Sequence, residues 1–365
     1  MKILLISPAG KAGTIQYTHN LANTLVQKGN NVFLATAVGF ELKHFHKDYL
    51  FLEVFDRFHP HPLKLCRFFY LLITFKPDIV HFQGAQHPAV YLFLCSLIRI
   101  FSKAPFVYTP QDVLPNNNGK LHVHIFRQLY KQFDHIFLNT KNNQKDIIEF
   151  FQVPSNKISI LSIPDLLAFL KNELIPKTPD IPKGKSVLLC FGLIEARKGI
   201  HTLIQAMPEI VSQRPETLLY IVGKPLEDIQ PYKDSISKLQ LKNHVRLIPK
   251  YVSFDEMAGF FNCADIVVLP YYSGWNSGVI STAFNFKIPV IATDVAGFKD
   301  VIEAGKTGII IPPKDAKKLA KETINLLRDK QLQKRLASHA VASMKYNSWG
   351  NIADKTIEIY NKIKK

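Results

Sequence analysis

Residues Asp265–Gly297, DIVVLPYYSGWNSGVISTAFNFKIPVIATDVAG, decide how the rest of the chain is read. Ile266–Leu269 is a short continuous apolar run, the pattern of a strand buried on both faces. A polar loop follows and ends in Ser277-Gly278. A helix is expected to open at Val279, and a second strand spans Val290–Thr293. A loop of small residues feeding a helix start leaves backbone N–H groups unpaired, and the helix dipole adds partial positive charge there. Such a place suits a phosphate or diphosphate. Gly278 has no Cβ, so a ligand can approach its backbone closely.

The same alternation runs outward in both directions. Upstream, strands are expected at Ser186–Gly192, Leu218–Val222 and Val245–Ile248, with helices at His201–Arg214 and Ser253–Cys263. Ser253 with Glu256 three residues on is a capping-box signature. Downstream, Ala316–Leu327, Gln331–Met344 and Trp349–Ile363 have helical periodicity. The first half repeats the scheme, with strands at Lys2–Ser7, Asn31–Thr36, Asp78–Phe82, Phe106–Thr109 and His135–Asn139 and a first helix at Ile15–Lys28. Alternating strands and helices predict an α/β protein with two doubly wound, mainly parallel sheets. Between the halves, Ile163–Gly184 holds Pro164, Pro176, Pro179 and Pro182 without sustained periodicity and is expected to be the interdomain crossing. The expected domains are 1–165 and 166–345, with 346–365 a terminal helix returning to the first domain.

Length and composition agree with this division. The chain has 365 residues, 47% of them apolar and 21% charged, enough for two cores. Cys66, Cys95, Cys190 and Cys263 form no C-x-x-C pair, which points to a reducing, cytoplasmic setting rather than a disulfide framework or zinc site. The opening MKILLISPAG reads as a strand, not a signal peptide. No apolar run reaches the ~20 residues of a membrane span; Val90–Phe101 comes nearest and is interrupted by Arg99. The net charge is +17, with 17 Lys+Arg against 10 Asp+Glu in residues 1–170 and 29 against 19 in the remainder. This surplus fits anionic partners and equally fits a lysine-rich surface that keeps the chain soluble. The apolar helices Leu63–Thr74 and Val90–Lys103 carry a few cations. They fit packing on the sheet, or peripheral contact with an anionic membrane.

Several motifs narrow the chemistry. Gly10-Lys11-Ala12-Gly13-Thr14 is not a Walker loop, because Ala12 stands where Ser or Thr is needed, and G-x-G-x-x-G is absent. A nucleoside triphosphatase and a nicotinamide enzyme are thereby disfavoured, while Gly13-Thr14 is either a turn after the first strand that faces the cleft, a candidate donor-diphosphate contact, or a purely structural turn. Arg197 and Lys198, on a loop after the Ser186–Gly192 strand, form either a diphosphate clamp or a solvated pair. Gln111 and Asp112 follow the Phe106–Thr109 strand. Asp112 serves as a catalytic carboxylate, a hydroxyl binder or a loop cap. The histidines, among them His59, His61, His81 and His87, lack metal-ligand spacing. No aromatic-interleaved basic patch or recognition helix marks a nucleic-acid binder.

Taken together, GTIQYTHNLANTLVQKGNNVFLAT, KPDIVHFQ, YTPQDVLP, FGLIEARKGIHTLIQAM, LYIVGKP and FNCADIVVLPYYSGWNSGVISTAF with IPVIATDVAGFKDVIEAGKTGIIIPPKD resemble glycosyltransferase family 4, the group 1 transferases of the GT-B fold. The resemblance spans nearly the whole chain. It implies two Rossmann-like domains facing across a cleft, the first for the acceptor and the second for a nucleoside-diphosphate sugar, UDP- or GDP-linked. It further implies sugar transfer with retention to a glycan or lipid-linked acceptor, in surface polysaccharide or lipopolysaccharide biosynthesis, with no cofactor or metal. By the same resemblance Lys198 matches the diphosphate lysine, Ser277, Gly278 and Val279 the helix-start donors, and Gly13 the first-domain loop glycine. The chain also departs from the family pattern. Leu193 replaces the Arg that follows the strand glycine, which leaves Arg197 as its substitute. Gln111 replaces a His, and the usual pair of glutamates falls on Gly274 and Thr282. Donor sugar or ribose contacts are then expected from Asn276, Gly274 and Thr282. The alternative is a degenerate sugar-nucleotide-binding protein without transferase activity.

Overall fold

The computed structural model describes residues 1–56, 59–60, 62–84, 87–110, 113, 120–161, 163–170, 176–273, 278–295, 297–344 and 348–364. The chain divides into two compact units, Met1–Phe169 with Asn347–Lys365, and Leu170–Tyr346.

The first unit runs β1 (Lys2–Ser7), α1 (Ala12–Gln27), β2 (Asn31–Ala37), β3 (Leu50–Asp56), β4 (His59–Pro60), α2 (Pro62–Phe75), β5 (Ile79–Gln83), α3 (Pro88–Phe101), β6 (Phe106–Thr109), α4 (Lys120–Tyr130), β7 (His135–Leu138), α5 (Lys141–Phe151) and β8 (Ile158–Ile160). Its sheet has the order β4-β3-β2-β1-β5-β6-β7-β8, parallel except for the β3–β4 pair. β1 is buried at every position but Lys2, and β5 at every position, as strands covered on both faces must be. The chain winds from β1 toward β3 on one side and from β5 toward β8 on the other, so strand order reverses between β1 and β5.

The expected first boundary at 165/166 lies a few residues short of the observed one. The strap 163–169 is tied to the first unit: Asn20 Nδ2 donates to the Leu166 carbonyl at 2.9 Å, and Phe169 packs edge-on to His19 at 5.1 Å. The last helix, α12 (Trp349–Ile363), also belongs here. Trp349 Nε1 donates to the Asp165 carbonyl at 2.7 Å, and the Tyr360 hydroxyl meets His81 Nδ1 at 2.5 Å. His81 joins Thr109 Oγ1 at 2.7 Å through its other nitrogen, and burial lowers its pKa to about 3. This histidine is a neutral strut between two strands and a helix.

The second unit runs β9 (Ser186–Phe191), α6 (Ile200–Gln213), β10 (Thr217–Val222), α7 (Gln230–Lys238), β11 (Val245–Ile248), α8 (Phe254–Cys263), β12 (Ile266–Leu269), α9 (Gly278–Asn285), β13 (Val290–Thr293), β14 (Ile309–Ile311), α10 (Ala316–Arg328) and α11 (Lys330–Met344). The sheet order is β11-β10-β9-β12-β13-β14, all parallel. Here the reversal falls between β9 and β12. At the start of α8, Ser253 Oγ accepts the Glu256 N–H and Glu256 Oε2 accepts the Ser253 N–H, which is the capping box the sequence predicts.

The structure corrects one local expectation. Gly13 and Thr14 lie not in a turn but in the first turn of α1, which starts three residues earlier than periodicity indicates. Ala12 adopts a left-handed φ of 62°, and its N–H is taken by Glu41 Oε1 at 2.7 Å, so the helix begins directly after the β1 loop.

Candidate active site

Ligands of doubly wound sheets collect at the C-terminal strand ends, where strand order reverses. In the second unit that place lies between β9 and β12, and its loops interlock through backbone. Gly223, after β10, has a φ of 157°, and a Cβ there would fall 1.7 Å from the Gly192 carbonyl oxygen. Gly199 has a φ of 66°, and a Cβ there would fall 1.8 Å from the Pro270 oxygen. Only glycine tolerates approaches this close. The Tyr272 N–H then donates to the Arg197 carbonyl at 2.7 Å. The turn Ala196–Lys198 is thus clamped onto the loop that follows β12.

The two cations of that turn are held differently. Arg197 is paired with Glu195 at 2.6 Å. The Lys198 ammonium instead sits 3.8 Å from the centroid of the Tyr271 ring, a cation–π contact. Among the described residues no carboxylate lies within ion-pair distance of Lys198. Tyr271 is buried, its carbonyl accepts Thr293 Oγ1 at 2.6 Å, and Phe298 packs against its ring at 5.1 Å. Glu227 secures the turn from the other side: its Oε2 accepts the Ala196 N–H at 2.8 Å, and its Oε1 accepts the Tyr232 hydroxyl. Lys314 lies 5.3 Å from the Tyr272 ring, and the Tyr272 hydroxyl meets Thr202 Oγ1 at 2.7 Å. Beneath the turn, burial raises the Cys190 thiol to about 12 despite the opposing charge of Lys198, so it stays protonated.

α9 opens beside the end of β9, since a Cβ on Gly192 would come 3.9 Å from Val279 Cγ2. Gly278 and Val279 therefore occupy the helix start expected of them, in the same unit as Arg197 and Lys198. Thr282 is buried, and its hydroxyl donates to the Gly278 carbonyl at 2.9 Å inside the helix. Gly274, Asn276 and Ser277 lie outside the described residues, as do Gln111 and Asp112.

The first unit has its own reversal point. Gly84, after β5, has a φ of 85°, and a Cβ there would fall 2.9 Å from Thr14 Cγ2. Thr14 thus sits against the end of β5, and the Leu166 side chain lies 3.6 Å from a Cβ on Gly13. Sequence reasoning missed Gly84, Glu227, Tyr271 and Lys314. A glycine directly after an apolar strand and a Tyr-Tyr pair directly after Leu269-Pro270 were the available signals. Nothing in the sequence pointed to the contacts of Glu227 with Ala196 or of Lys314 with Tyr272, 31 and 42 residues away.

Comparison with known proteins gives the family of the chain. Residues 171–342 match the family of group 1 glycosyl transferases, and residues 12–162 match glycosyltransferase family 4. The chain belongs to the group 1 glycosyltransferases. A D-inositol 3-phosphate glycosyltransferase of Nocardioides is 25% identical over 252 residues, 64% of this chain; the chain spans only 55% of that relative's length. A glycosyltransferase from Rickettsia africae superimposes with a TM-score of 0.78 at 19% identity, covering 99% of this chain and 98% of the other. HepE of Anabaena, solved in complex with UDP, gives 0.77 at 17% identity, covering 99% and 100%. At these identities the chain shares their fold, two Rossmann-like parallel-sheet domains of GT-B type.

Proposed function

We propose that the chain is a retaining hexosyltransferase. It moves a sugar from a UDP- or GDP-linked donor, bound by the second unit, to a glycan or lipid-linked acceptor bound by the first, in surface polysaccharide or lipopolysaccharide synthesis. The observation that carries this is Lys198, an ammonium without a carboxylate partner among the described residues, on a turn clamped to the loop after β12, where strand order reverses. Departure of the sugar leaves negative charge on a diphosphate, and fixed positive groups aimed there lower the barrier more than they stabilise the bound donor. Lys198 supplies that charge with no metal or cofactor in the scheme. Gly278 and Val279 add helix-start N–H groups, Ser277 and Asn276 extend them, and Gln111 and Asp112 are assigned to the sugar and acceptor. The UDP of the HepE complex is consistent with a nucleoside diphosphate as the leaving group.

Calorimetric titration with UDP, GDP and ADP tests the pocket and selects the donor together. Lys198→Ala is expected to weaken the preferred diphosphate by about 10- to 100-fold, the cost of one charge-assisted hydrogen bond. Unchanged affinity would remove Lys198 from the site. Thr282 lacks a carboxylate and has its hydroxyl engaged within the helix, which favours a second reading, a sugar-nucleotide-binding protein without transfer. Binding with neither hydrolysis nor transfer across a donor panel would select it.

Peripheral contact with an anionic membrane belongs to the same proposal, and a specific face supports it. Tyr70 and Ile100 are 70% and 72% exposed on α2 and α3, beside exposed Ile73, Phe93 and Phe101. Residues 57–133 hold nine Lys+Arg and two Asp+Glu, which is the whole net +7 of residues 1–170. Apolar side chains among cations suit the boundary of an anionic bilayer, where each basic residue contributes about 1 kcal/mol. Among the described residues no helix is long and apolar enough to cross a membrane. Co-sedimentation with phosphatidylglycerol vesicles but not phosphatidylcholine vesicles, lost in Tyr70→Ser/Ile100→Ser, is the expected result. Equal binding of the double variant would discard the face.

A further inference from the structure

We infer that Tyr271 is the positioning residue for the diphosphate-binding ammonium: its ring face, rather than a carboxylate, holds Lys198 over the strand ends of the second unit. This rests on the reading of Lys198 given above and adds what makes that lysine competent. A lysine ends in a compact charge on a flexible four-carbon stem, and a useful position has to be imposed on it. The neighbouring Arg197 shows the common solution, an ion pair with Glu195 at 2.6 Å, which sets an opposite charge directly against the group. Lys198 has the other solution. Its ammonium lies 3.8 Å from the Tyr271 ring centroid, well inside the ~6 Å range in which the ring quadrupole attracts a cation. A quadrupole attracts without cancelling the charge, and it engages only one side of the ammonium. The remaining N–H donors stay available to an incoming anion.

The ring is itself immobilised, as a positioning group must be. Tyr271 is 1% exposed, Phe298 backs it at 5.1 Å, and Thr293 Oγ1 holds its carbonyl at 2.6 Å. The lysine's backbone is fixed independently. The Lys198 N–H donates to the Glu195 carbonyl at 2.9 Å, Glu227 holds Ala196, and Gly199 abuts Pro270. Both ends of the contact are therefore pinned to the loop after β12 or to its neighbours, and the ammonium between them has one place to sit.

The test is a double-mutant cycle read by calorimetry. Wild type, Tyr271→Phe, Tyr271→Leu, Lys198→Ala and Tyr271→Leu/Lys198→Ala are titrated with UDP, GDP and ADP and with the matching nucleosides. Tyr271→Phe keeps the ring face and is expected to bind diphosphate like wild type. Tyr271→Leu is expected to bind it about 3- to 20-fold more weakly, the range of a partly desolvated cation–π contact, and to bind the nucleoside unchanged. In the Lys198→Ala background the leucine substitution is expected to add nothing. Equal losses for nucleoside and diphosphate, or additive losses in the double variant, would show a merely structural tyrosine and overturn the inference. If Lys198→Ala weakens diphosphate while Tyr271→Leu does not, the inference falls and the reading of Lys198 stands. If Lys198→Ala changes nothing, both fall. Should Tyr271→Leu fail to fold, reductively methylated wild-type protein gives the same decision by NMR. The dimethyl-Lys198 signal, assigned by its loss in Lys198→Ala, is expected upfield from ring-current shielding and to move on addition of diphosphate. A signal at the position of exposed lysines overturns the contact.

Discussion

The two units carry the same topological feature built from different chemistry. Where strand order reverses in the first, α1 meets β5 through Thr14 and Gly84, and Glu41 accepts the Ala12 N–H at the helix start. At the same place in the second, a turn with two adjacent cations is clamped onto the loop after β12, and one of them sits on a ring face. At the first, Lys11 stands at the helix N-cap position; at the second, Arg197 pairs with Glu195 and Lys198 lies on the Tyr271 ring. The same reversal of strand order thus carries different side chains in the two units. The fold supplies the location, and a few side chains supply its chemistry.

The contrast is broken most severely at Gly199. Its left-handed φ and the 1.8 Å approach of a Cβ to Pro270 make Gly199→Val incompatible with the clamp. A loss of about 3 kcal/mol or more is expected, read as a lower denaturation midpoint together with lost diphosphate binding. Retention of both would show that the two loops are not locked.

Acid sharpens the difference from the other side. His81, His19 and His135, all in the first unit, are buried, and burial lowers their pKa values to about 3, 4 and 4, against 6.5 in the unfolded chain. Below pH 6.5 the unfolded state binds more protons than the folded one, so stability falls as pH drops and is fully present only above that value. His81 alone contributes a loss of up to about 1.4 kcal/mol per pH unit. Hydrogen exchange between pH 6.5 and 4.5 should show β5, β6 and α12 losing protection before β9 and β12. The reverse order would contradict the neutral-histidine account.

The smallest effect is expected at Arg197. Its guanidinium is already engaged by Glu195, so Arg197→Ala should change diphosphate affinity by less than about 3-fold, within the range of an exposed ion pair. A loss as large as that of Lys198→Ala would mean that the ion pair opens on binding and that both cations grip the ligand.

The α/β alternation, most strand positions and the helix from Trp349 to Ile363 were legible in the chain, because continuous apolar runs and 3.6-residue periodicity are local signals. Short or irregular strands were not. Ile309–Ile311 is three residues long, and Leu50–Asp56 lacks alternation; each becomes a strand by pairing with a neighbour already in place. The adjacency of Arg197 and Lys198 was visible, and so was the family they belong to. Their division of labour was not. Whether a cation is paired with a carboxylate or left available depends on which side chains surround it, and those come from Glu195 nearby and from Tyr271 some seventy residues on. Covalent order and periodicity determine the elements and where their ends lie. Only packing brings the strand-end loops together, and charge interactions reach a few ångströms through space whatever the separation along the chain.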